Sequence, residues 1–306
     1  MRAILVGAVE STQIALATLI QSPDCELALV LTLPPEKASR HSDYVDLSDQ
    51  ASAAGVRLEA VENINRPEAI ELIREADADY LFVIGWSQIC GPDVMNSLPD
   101  AVIGYHPAAL PRMRGRAAIP WTILQCEPIT AGTLFWIDEG VDSGAILDQE
   151  YFHVAPDETA ASLYDRHMRA LEVMLQRSLQ QMAAGRARRA IQDERYATWA
   201  AKRVAEDGRI DWKLPAQEID RLVRAVGRPY PGAFTDYKGE RLVIWASRVT
   251  ASDRRYAALP GQIIERDAEG SRFIVQCGEN TALEVTDCDY SGAARLLLHG
   301  RLGTTV

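Results

Sequence analysis

The sequence lacks the features that mark several large functional classes. It has no apolar run near the roughly 18–20 residues that a membrane-spanning helix requires. It has no Cys-x-x-C pair and no Cys/His cluster with zinc spacing, so no metal site is predicted. Only Gly7 follows the first predicted strand, without the G-x-G-x-x-G fingerprint, which disfavours a dinucleotide site. The start, Met1 to Ala8, predicts a strand and not a signal peptide.

The chain is also poor in cysteine and in positive charge. Its five cysteines are odd in number and widely spaced, which favours structural thiols in a reducing cytoplasm, although two of them could still be close in space. The net charge is −11, and residues 201–306 hold 16 Lys+Arg against 15 Asp+Glu, so the acidic excess lies in residues 1–200. An acidic body without a basic tail matches a polyanion poorly, which disfavours nucleic acid as a partner.

The length and composition of the chain favour one large and one smaller globular domain, because its residues are 47% hydrophobic and a chain of 306 residues is long for a single core. As far as residue 106, short apolar strands alternate with helical segments. This alternation predicts an α/β domain with a doubly wound, mainly parallel sheet. Residues 183 to about 201 are interpreted as a linker after a long helix. The short strand patterns beyond residue 240 predict a second, β-rich domain, with a barrel as one option.

Two loops hold the best candidates for chemistry. The first starts where a predicted strand ends and carries His106 into the Pro-, Gly- and Arg-rich run HPAALPRMRG. The second, Asp138 to Gly144, is an acidic turn between two strands predicted to pair as a hairpin, and Asp142 lies 36 positions after His106. Ligands of doubly wound sheets bind outside the carboxyl ends of the strands, which is where His106 is expected. A carboxylate beside a histidine fixes the tautomer and favours the charged ring, so His106 and Asp142 are a candidate acid/base pair.

These motifs resemble those of the 10-formyltetrahydrofolate-dependent formyltransferases. The resemblance rests on His106-Pro107, Leu110-Pro111, Arg114-Gly115, Asp142-Ser143-Gly144, Asp207-Gly208-Arg209-Ile210-Asp211-Trp212 and Pro229-Tyr230-Pro231-Gly232-Ala233-Phe234. The family includes methionyl-tRNA formyltransferase and the sugar-amine N-formyltransferases, and the C-terminal part is most similar to the enzyme that formylates UDP-4-amino-4-deoxy-arabinose. The resemblance implies a Rossmann-like catalytic domain over residues 1–200 and an OB-like C-terminal domain over residues 201–306.

The resemblance also implies a donor and a site. His106 and Asp142 fall on the family's catalytic histidine and aspartate, and 10-formyltetrahydrofolate would be the formyl donor. The candidate donor-binding residues are Trp86, Ile89, Leu110, Arg114, Asp138 and Asp142. Two of these also have structural interpretations: Arg114 could equally anchor its loop, and the side chain of Asp138 is interpreted as a turn or solvent-facing residue.

The chain departs from the family at Gly104, where the resemblance implies an asparagine that helps to stabilise the oxyanion of the tetrahedral intermediate. Alternate residues of a strand share a face, so Gly104 faces the same side as His106, and Tyr105 faces the other. Tyr105 is therefore not expected to replace the missing amide. We expect open space beside His106, filled by an ordered water, by the acceptor, or by a side chain such as Ser87 or Gln88.

The charge pattern favours a small-molecule amine as acceptor, with a nucleotide-linked amino sugar as the first candidate. Residues 34–46 contain only Lys37 and Arg40 as bases, whereas the tRNA enzyme resembles a longer chain with a basic loop here. Two alternatives stay open: methionyl-tRNA as acceptor, and a folate-binding protein whose catalysis is weakened or lost through Gly104. The sequence is compatible with a homodimer and does not require one.

Overall fold

The structure is a computed structural model that describes residues 1–40, 43–250, 256–267, 272–290, 292 and 295–303. The chain divides into two compact units. The first comprises Met1–Ala118, Ile129–His153 and Tyr164–Ala201, and the second comprises Ile119–Pro128, Val154–Leu163 and Lys202–Val306. The predicted division at 200/201 assigned the two short segments of the second unit to the first domain.

The helices and strands follow in chain order. They are β1 (Arg2–Val6), α1 (Glu10–Gln21), β2 (Glu26–Thr32), α2 (Ser48–Ala53), β3 (Arg57–Ala60), α3 (Pro67–Glu75), β4 (Tyr80–Val83), α4 (Pro92–Ser97), β5 (Val102–His106), β6 (Arg114–Gly115), α5 (Ala118–Leu124), β7 (Ile129–Trp136), β8 (Ile146–His153), α6 (Ala160–Ala183), β9 (Trp199–Ala200), α7 (Ala216–Val226), β10 (Ala233–Tyr237), β11 (Glu240–Val249), β12 (Ile263–Arg266), β13 (Phe273–Gln276) and β14 (Ala282–Tyr290). Short 3-10 helices span Pro35–Arg40, Glu194–Tyr196, Ala205–Gly208 and Gly278–Asn280.

Seven strands of the first unit form one sheet in the order β3-β2-β1-β4-β5-β7-β8. The first five run parallel, whereas β7 is antiparallel to β5 and β8 is antiparallel to β7. The strand order reverses beside β1, which is the place where doubly wound sheets bind ligands outside the carboxyl ends of their strands. The predicted doubly wound, mainly parallel sheet and the β7–β8 hairpin are confirmed.

Helices cover both faces of this sheet. In β1, Ala3 and Leu5 belong to a buried cluster with α1 and α6, whereas Ile4 and Val6 belong to a second cluster with α3 and α4. Strand alternation thus supplies both halves of the core, as expected for parallel strands buried on both faces. The predicted apolar stripe of α6 is buried along its length, from Tyr164 to Met182. Each buried leucine contributes about 1.5–3 kcal/mol to folding.

The second unit contains a five-stranded antiparallel sheet in the order β10-β11-β14-β13-β12, with α7 against β11. The prediction of a second, β-rich domain is confirmed. The predicted strand patterns of this domain begin beyond residue 240, so strand β10 was missed.

The segment that was predicted as a linker after α6 is paired with the first unit. Strand β9 runs parallel to β6, and Ala190 forms a bridge with Ile146 at the start of β8. The linker interpretation is therefore wrong. A two-residue strand is too short for a period-two pattern to show in the sequence, so the pairing gave no signal.

In the part of the chain that the structure describes, no helix is both long and apolar enough to cross a membrane.

Candidate active site

His106 ends β5 and is buried, with 8% of its side chain exposed. Its Nε2 donates to the carbonyl oxygen of Met113 at 2.7 Å. A carbonyl oxygen can only accept, so this nitrogen carries a proton. The other nitrogen, Nδ1, lies 3.6 Å from Oδ2 of Asp142. The structure thus brings together the two residues proposed as an acid/base pair and places the ring between two acceptors.

Asp142 is held in an unusual backbone conformation. Its φ is 50°, in the left-handed region, which costs a residue other than glycine on the order of 1–3 kcal/mol. Its Oδ2 accepts from the backbone N–H of Gly115 at 2.8 Å, which fixes the carboxylate toward His106. Because aspartate tolerates this region better than most side chains, the site keeps both the conformation and the charge.

The carboxylate of Asp138 stabilises the same turn. Its Oδ1 accepts from the N–H of Gly140 at 3.0 Å and from the hydroxyl of Ser143 at 2.8 Å. This geometry fits the interpretation of Asp138 as a turn residue. Its role in donor binding stays a prediction.

The open space expected beside His106 is not there. A Cβ on Gly104 would lie 2.9 Å from Cζ and 3.0 Å from Cε1 of Phe135, and 3.2 Å from Cγ1 of Ile137. Phe135 is the cross-strand partner of Gly104 in β7, so its ring occupies the side of the strand that glycine leaves bare. The amide of Gln88 instead bonds to the backbone of Glu62 and Ile64. The expectation was wrong because it considered one strand and not the neighbour across it.

Tyr105 faces the other side of β5, as strand alternation predicted. Its hydroxyl donates to the carbonyl oxygen of His167 in α6 at 3.2 Å and lies 3.4 Å from Nδ1 of the same residue. Burial, together with charge repulsion from the nearby His106 and Arg166, lowers the pKa of His167 to about 3. Tyr105 is therefore committed to α6 and does not replace the missing asparagine.

Arg114 is buried, and its guanidinium bonds to two side chains. Nε and Nη2 donate to Oε1 of Gln192 at 3.1 and 2.8 Å, and Nη1 and Nη2 donate to the carboxylate of Glu194 at 3.0 and 2.7 Å. The ion pair lowers the pKa of Glu194. This arrangement fits the loop-anchoring interpretation of Arg114, and its role in binding the formyl donor stays a prediction.

The remaining donor-site candidates differ in what they offer to a ligand. Trp86, in the loop after β4, has a buried Nε1 with no hydrogen-bond partner among the described residues. Such an unpaired donor costs about 1–3 kcal/mol, which a ligand acceptor would recover. Ile89 in the same loop is 81% exposed, which is high for a large apolar side chain. Leu110 is buried, and its carbonyl oxygen accepts from Gln149 at 2.8 Å.

Sequence reasoning missed three residues that shape this site: Phe135, Gln192 and Thr198. The hydroxyl of Thr198 accepts from the N–H of Met113 at 2.9 Å, and Met113 in turn binds His106. Gln192 and Thr198 lie in the supposed linker, and no motif marks them. Phe135 lay in a predicted strand, but only the register of β5 with β7 places it opposite Gly104.

Comparison with known proteins identifies the family. Residues 8–179 match the family described as formyl transferase, and residues 202–296 match the formyl transferase C-terminal domain. The chain belongs to the formyltransferase family. It is therefore a transferase, as the motifs around His106 and Asp142 predicted.

Relatives within this family act on different acceptors. The chain is 32% identical over 287 residues to a methionyl-tRNA formyltransferase from Solibacter usitatus (strain Ellin6076), covering 91% of each chain. The N-formyltransferase from Helicobacter canadensis, solved with folinic acid and dTDP-3-aminofucose, is 17% identical with a TM-score of 0.65, covering 92% of this chain and 98% of that one. The sugar 3N-formyl transferase WlaRD, solved with dTDP and 5-N-formyl-THF, also has 17% identity and a TM-score of 0.65, over 96% and 99% of the two chains. At this identity the two solved structures establish the shared fold alone.

Proposed function

We propose that this formyltransferase moves a formyl group from a 10-formyltetrahydrofolate donor to the amine of a small molecule, with His106 and Asp142 as its catalytic residues. The observation that carries the proposal is the placement of Nδ1 of His106 3.6 Å from Oδ2 of Asp142 at the carboxyl end of β5. The folate-type ligands of the two structural neighbours support the donor. On this chain, the unpaired Nε1 of Trp86 and the exposed Ile89 fit a flat, polar-edged ring system.

The bound donor would supply a formyl carbon that is open to attack by an amine. The Nε2 proton of His106 is donated to the carbonyl oxygen of Met113, so Nδ1 is the nitrogen available for proton transfer. When Nδ1 is also protonated, the ring carries a positive charge, which stabilises negative charge developing on the formyl oxygen. Asp142 stabilises this charged ring and offers a carboxylate to the proton that the amine loses. As the bond between the formyl carbon and N10 of the donor breaks, that proton would pass to N10, and the donor would leave as tetrahydrofolate.

The missing asparagine changes how the oxyanion is stabilised. Loss of one oxyanion-hole donor costs on the order of 10²–10³ in rate in other enzymes. Here the ring of Phe135 lies against Gly104 where that amide would start, and Ile137 lies beside it. An apolar wall excludes water and strengthens the field of a nearby charge, so His106 carries more of the stabilisation in this enzyme.

We propose a nucleotide-linked amino sugar as the acceptor. Residues 1–200 hold 16 Lys+Arg against 28 Asp+Glu, a surface that disfavours a large polyanion such as tRNA. The amino-sugar nucleotide held by the Helicobacter canadensis enzyme supports this choice. Methionyl-tRNA is the second candidate, because the relative from Solibacter usitatus is nearly twice as identical to this chain as the sugar enzymes are.

The test is formyl transfer from 10-formyltetrahydrofolate to a panel of UDP-, GDP- and dTDP-linked amino sugars and to methionyl-tRNA, with products detected by mass. We expect product from an amino sugar, formed at a much lower but still measurable rate in His106→Ala and Asp142→Ala. His153→Ala, at an exposed histidine outside the site, should match the wild type. Full activity in His106→Ala would refute the mechanism. Product from methionyl-tRNA alone would refute the acceptor, and donor binding without any product would favour a non-catalytic protein.

The proposed location is the cytoplasm, where one-carbon donors and a reducing environment coincide with this chemistry. All five cysteines are free thiols in the structure, which supports that location.

A further inference from the structure

We infer that Gln192 is a positioning residue, which holds the Asp142 loop in the geometry that pairs Asp142 with His106. The inference rests on the proposed catalytic roles of those two residues. Gln192 lies in the stretch between the two regions that match the family, residues 180–201, and it is buried at 5% exposure. A buried glutamine in such a stretch calls for a structural explanation, because its amide must find partners for every polar atom.

Gln192 joins the catalytic loop to Arg114. Its Nε2 donates to the carbonyl oxygen of Asp142 at 2.8 Å and to that of Gly144 at 2.7 Å. Its Oε1 accepts both the Nε and the Nη2 protons of Arg114. Both N–H donors and both acceptor positions of the amide are therefore used, which is the full capacity of a glutamine side chain.

Arg114 determines which way this amide faces. A guanidinium only donates, so it must meet the oxygen of Gln192, and the NH₂ group is then directed at the loop. The carboxylate of Glu194 binds the outer edge of the same guanidinium and holds it against Gln192. This chain of bonds explains why a buried arginine next to the site does not need to touch the donor.

The bond to the carbonyl of Asp142 acts where the loop is under strain. Asp142 has a left-handed φ of 50°, and such conformations persist when the surroundings hold them. The N–H of Gly115 holds the carboxylate of this residue, whereas Gln192 holds its backbone. Without Gln192 the peptide is free to relax, and the separation between Asp142 and His106 changes.

The test compares Gln192→Glu with the wild type, using 10-formyltetrahydrofolate and dTDP-3-aminofucose as substrates. Glutamate keeps the oxygen that faces Arg114 but replaces the two N–H donors with an oxygen that meets two carbonyl oxygens. We expect kcat to fall by about 10- to 100-fold, because a misplacement of a catalytic group by about 1 Å can cost about 100-fold in rate. Gln192→Met introduces a side chain of similar shape without a polar end, and its kcat should also fall. This variant serves as the test if the glutamate variant does not fold.

A matched control lies elsewhere in the chain. Gln276 is also 5% exposed, and its Nε2 donates to the carbonyl oxygens of Cys277 and Thr281 at 3.2 and 3.1 Å. Gln276→Glu therefore makes the same chemical change, in the second unit. We expect it to lower the melting temperature while leaving kcat within about twofold of the wild type.

Two readouts separate positioning from general structural damage. In an Asp142→Ala background, Gln192→Glu should change kcat by less than about twofold, because a residue that acts through Asp142 has nothing left to position. Amide hydrogen exchange should speed up over residues 138–146 in Gln192→Glu and stay unchanged there in Gln276→Glu. Equal kcat losses with and without Asp142, or an unchanged loop, would overturn the inference. If Asp142→Ala itself retains full kcat, the proposed function fails instead.

Discussion

The contact between Gly104 and Phe135 makes a quantitative prediction for Gly104→Ala. The added methyl group would lie 2.9 and 3.0 Å from two ring carbons of Phe135, well inside the roughly 3.5–4.0 Å of an ordinary carbon contact. The ring is 5% exposed and must shift by several tenths of an ångström. Overpacking of this kind costs about 1–3 kcal/mol. Replacing a strand glycine recovers about 0.5–1 kcal/mol, so a net destabilisation of about 1 kcal/mol is expected.

A double-mutant cycle with Phe135→Leu isolates that contact. The leucine lacks the ring atoms nearest to Gly104, so in its background Gly104→Ala should be neutral or stabilising. Urea unfolding of the four proteins then gives a coupling free energy of about 1–2 kcal/mol, within the range for contacting residues. Additive changes would show that the ring does not fill the space beside Gly104, and the account of the site would be refuted.

The same cycle with Gly104→Asn tests the chemistry. On its own, the asparagine must displace the ring, so we expect lower turnover in a folded protein. With Phe135→Leu, the amide has room to approach the oxyanion, and turnover should rise above that of Phe135→Leu alone. An increase in the single variant would contradict the packing argument.

Two further predictions follow from burial. Because the pKa of His167 is lowered to about 3, the unfolded chain binds a proton below about pH 6.5 that the folded chain does not. The free energy of unfolding in urea should therefore fall by about 1.4 kcal/mol from pH 7.5 to 5.5, and by less in His167→Phe. The exposed control His153→Phe should behave as the wild type. Equal losses in all three proteins would contradict this prediction. Cys126 is exposed, whereas burial raises the pKa of the other four thiols to about 11 or 12. A thiol reagent at pH 8 should therefore label one thiol per chain quickly. A second thiol that is labelled fast, or a fast phase that persists in Cys126→Ser, would contradict this prediction.

Much of this fold was predictable because its signals are local. Strand alternation correctly placed Gly104 and Tyr105 on opposite faces of β5, and helical spacing identified the buried stripe of α6. The proposed pairing of His106 with Asp142 came from motif spacing, and the structure brings the two within 3.6 Å.

What the sequence could not predict depends on contacts between distant segments. Whether the space beside Gly104 is open depends on its partner across the sheet, and no pattern in either strand specifies that Phe135 fills it. Gln192 follows Asp142 by 50 residues and has no surrounding motif. A glutamine usually signals an exposed position, so its burial emerges only once Arg114 and the loop are placed around it.

The makeup of the second unit limits how this protein can be cut and recombined. A fragment that starts at Lys202 lacks residues 119–128 and 154–163, which belong to the same compact unit. It would lose the carbonyl oxygen of Glu158 that accepts from Nη1 of Arg224 in α7 at 2.8 Å. An exchange of C-terminal domains between relatives, made at the boundary that the family matches suggest, would therefore transplant an incomplete fold. A chimera that keeps the second unit whole would have to exchange all three of its segments, residues 119–128, 154–163 and 202–306, and not the last one alone.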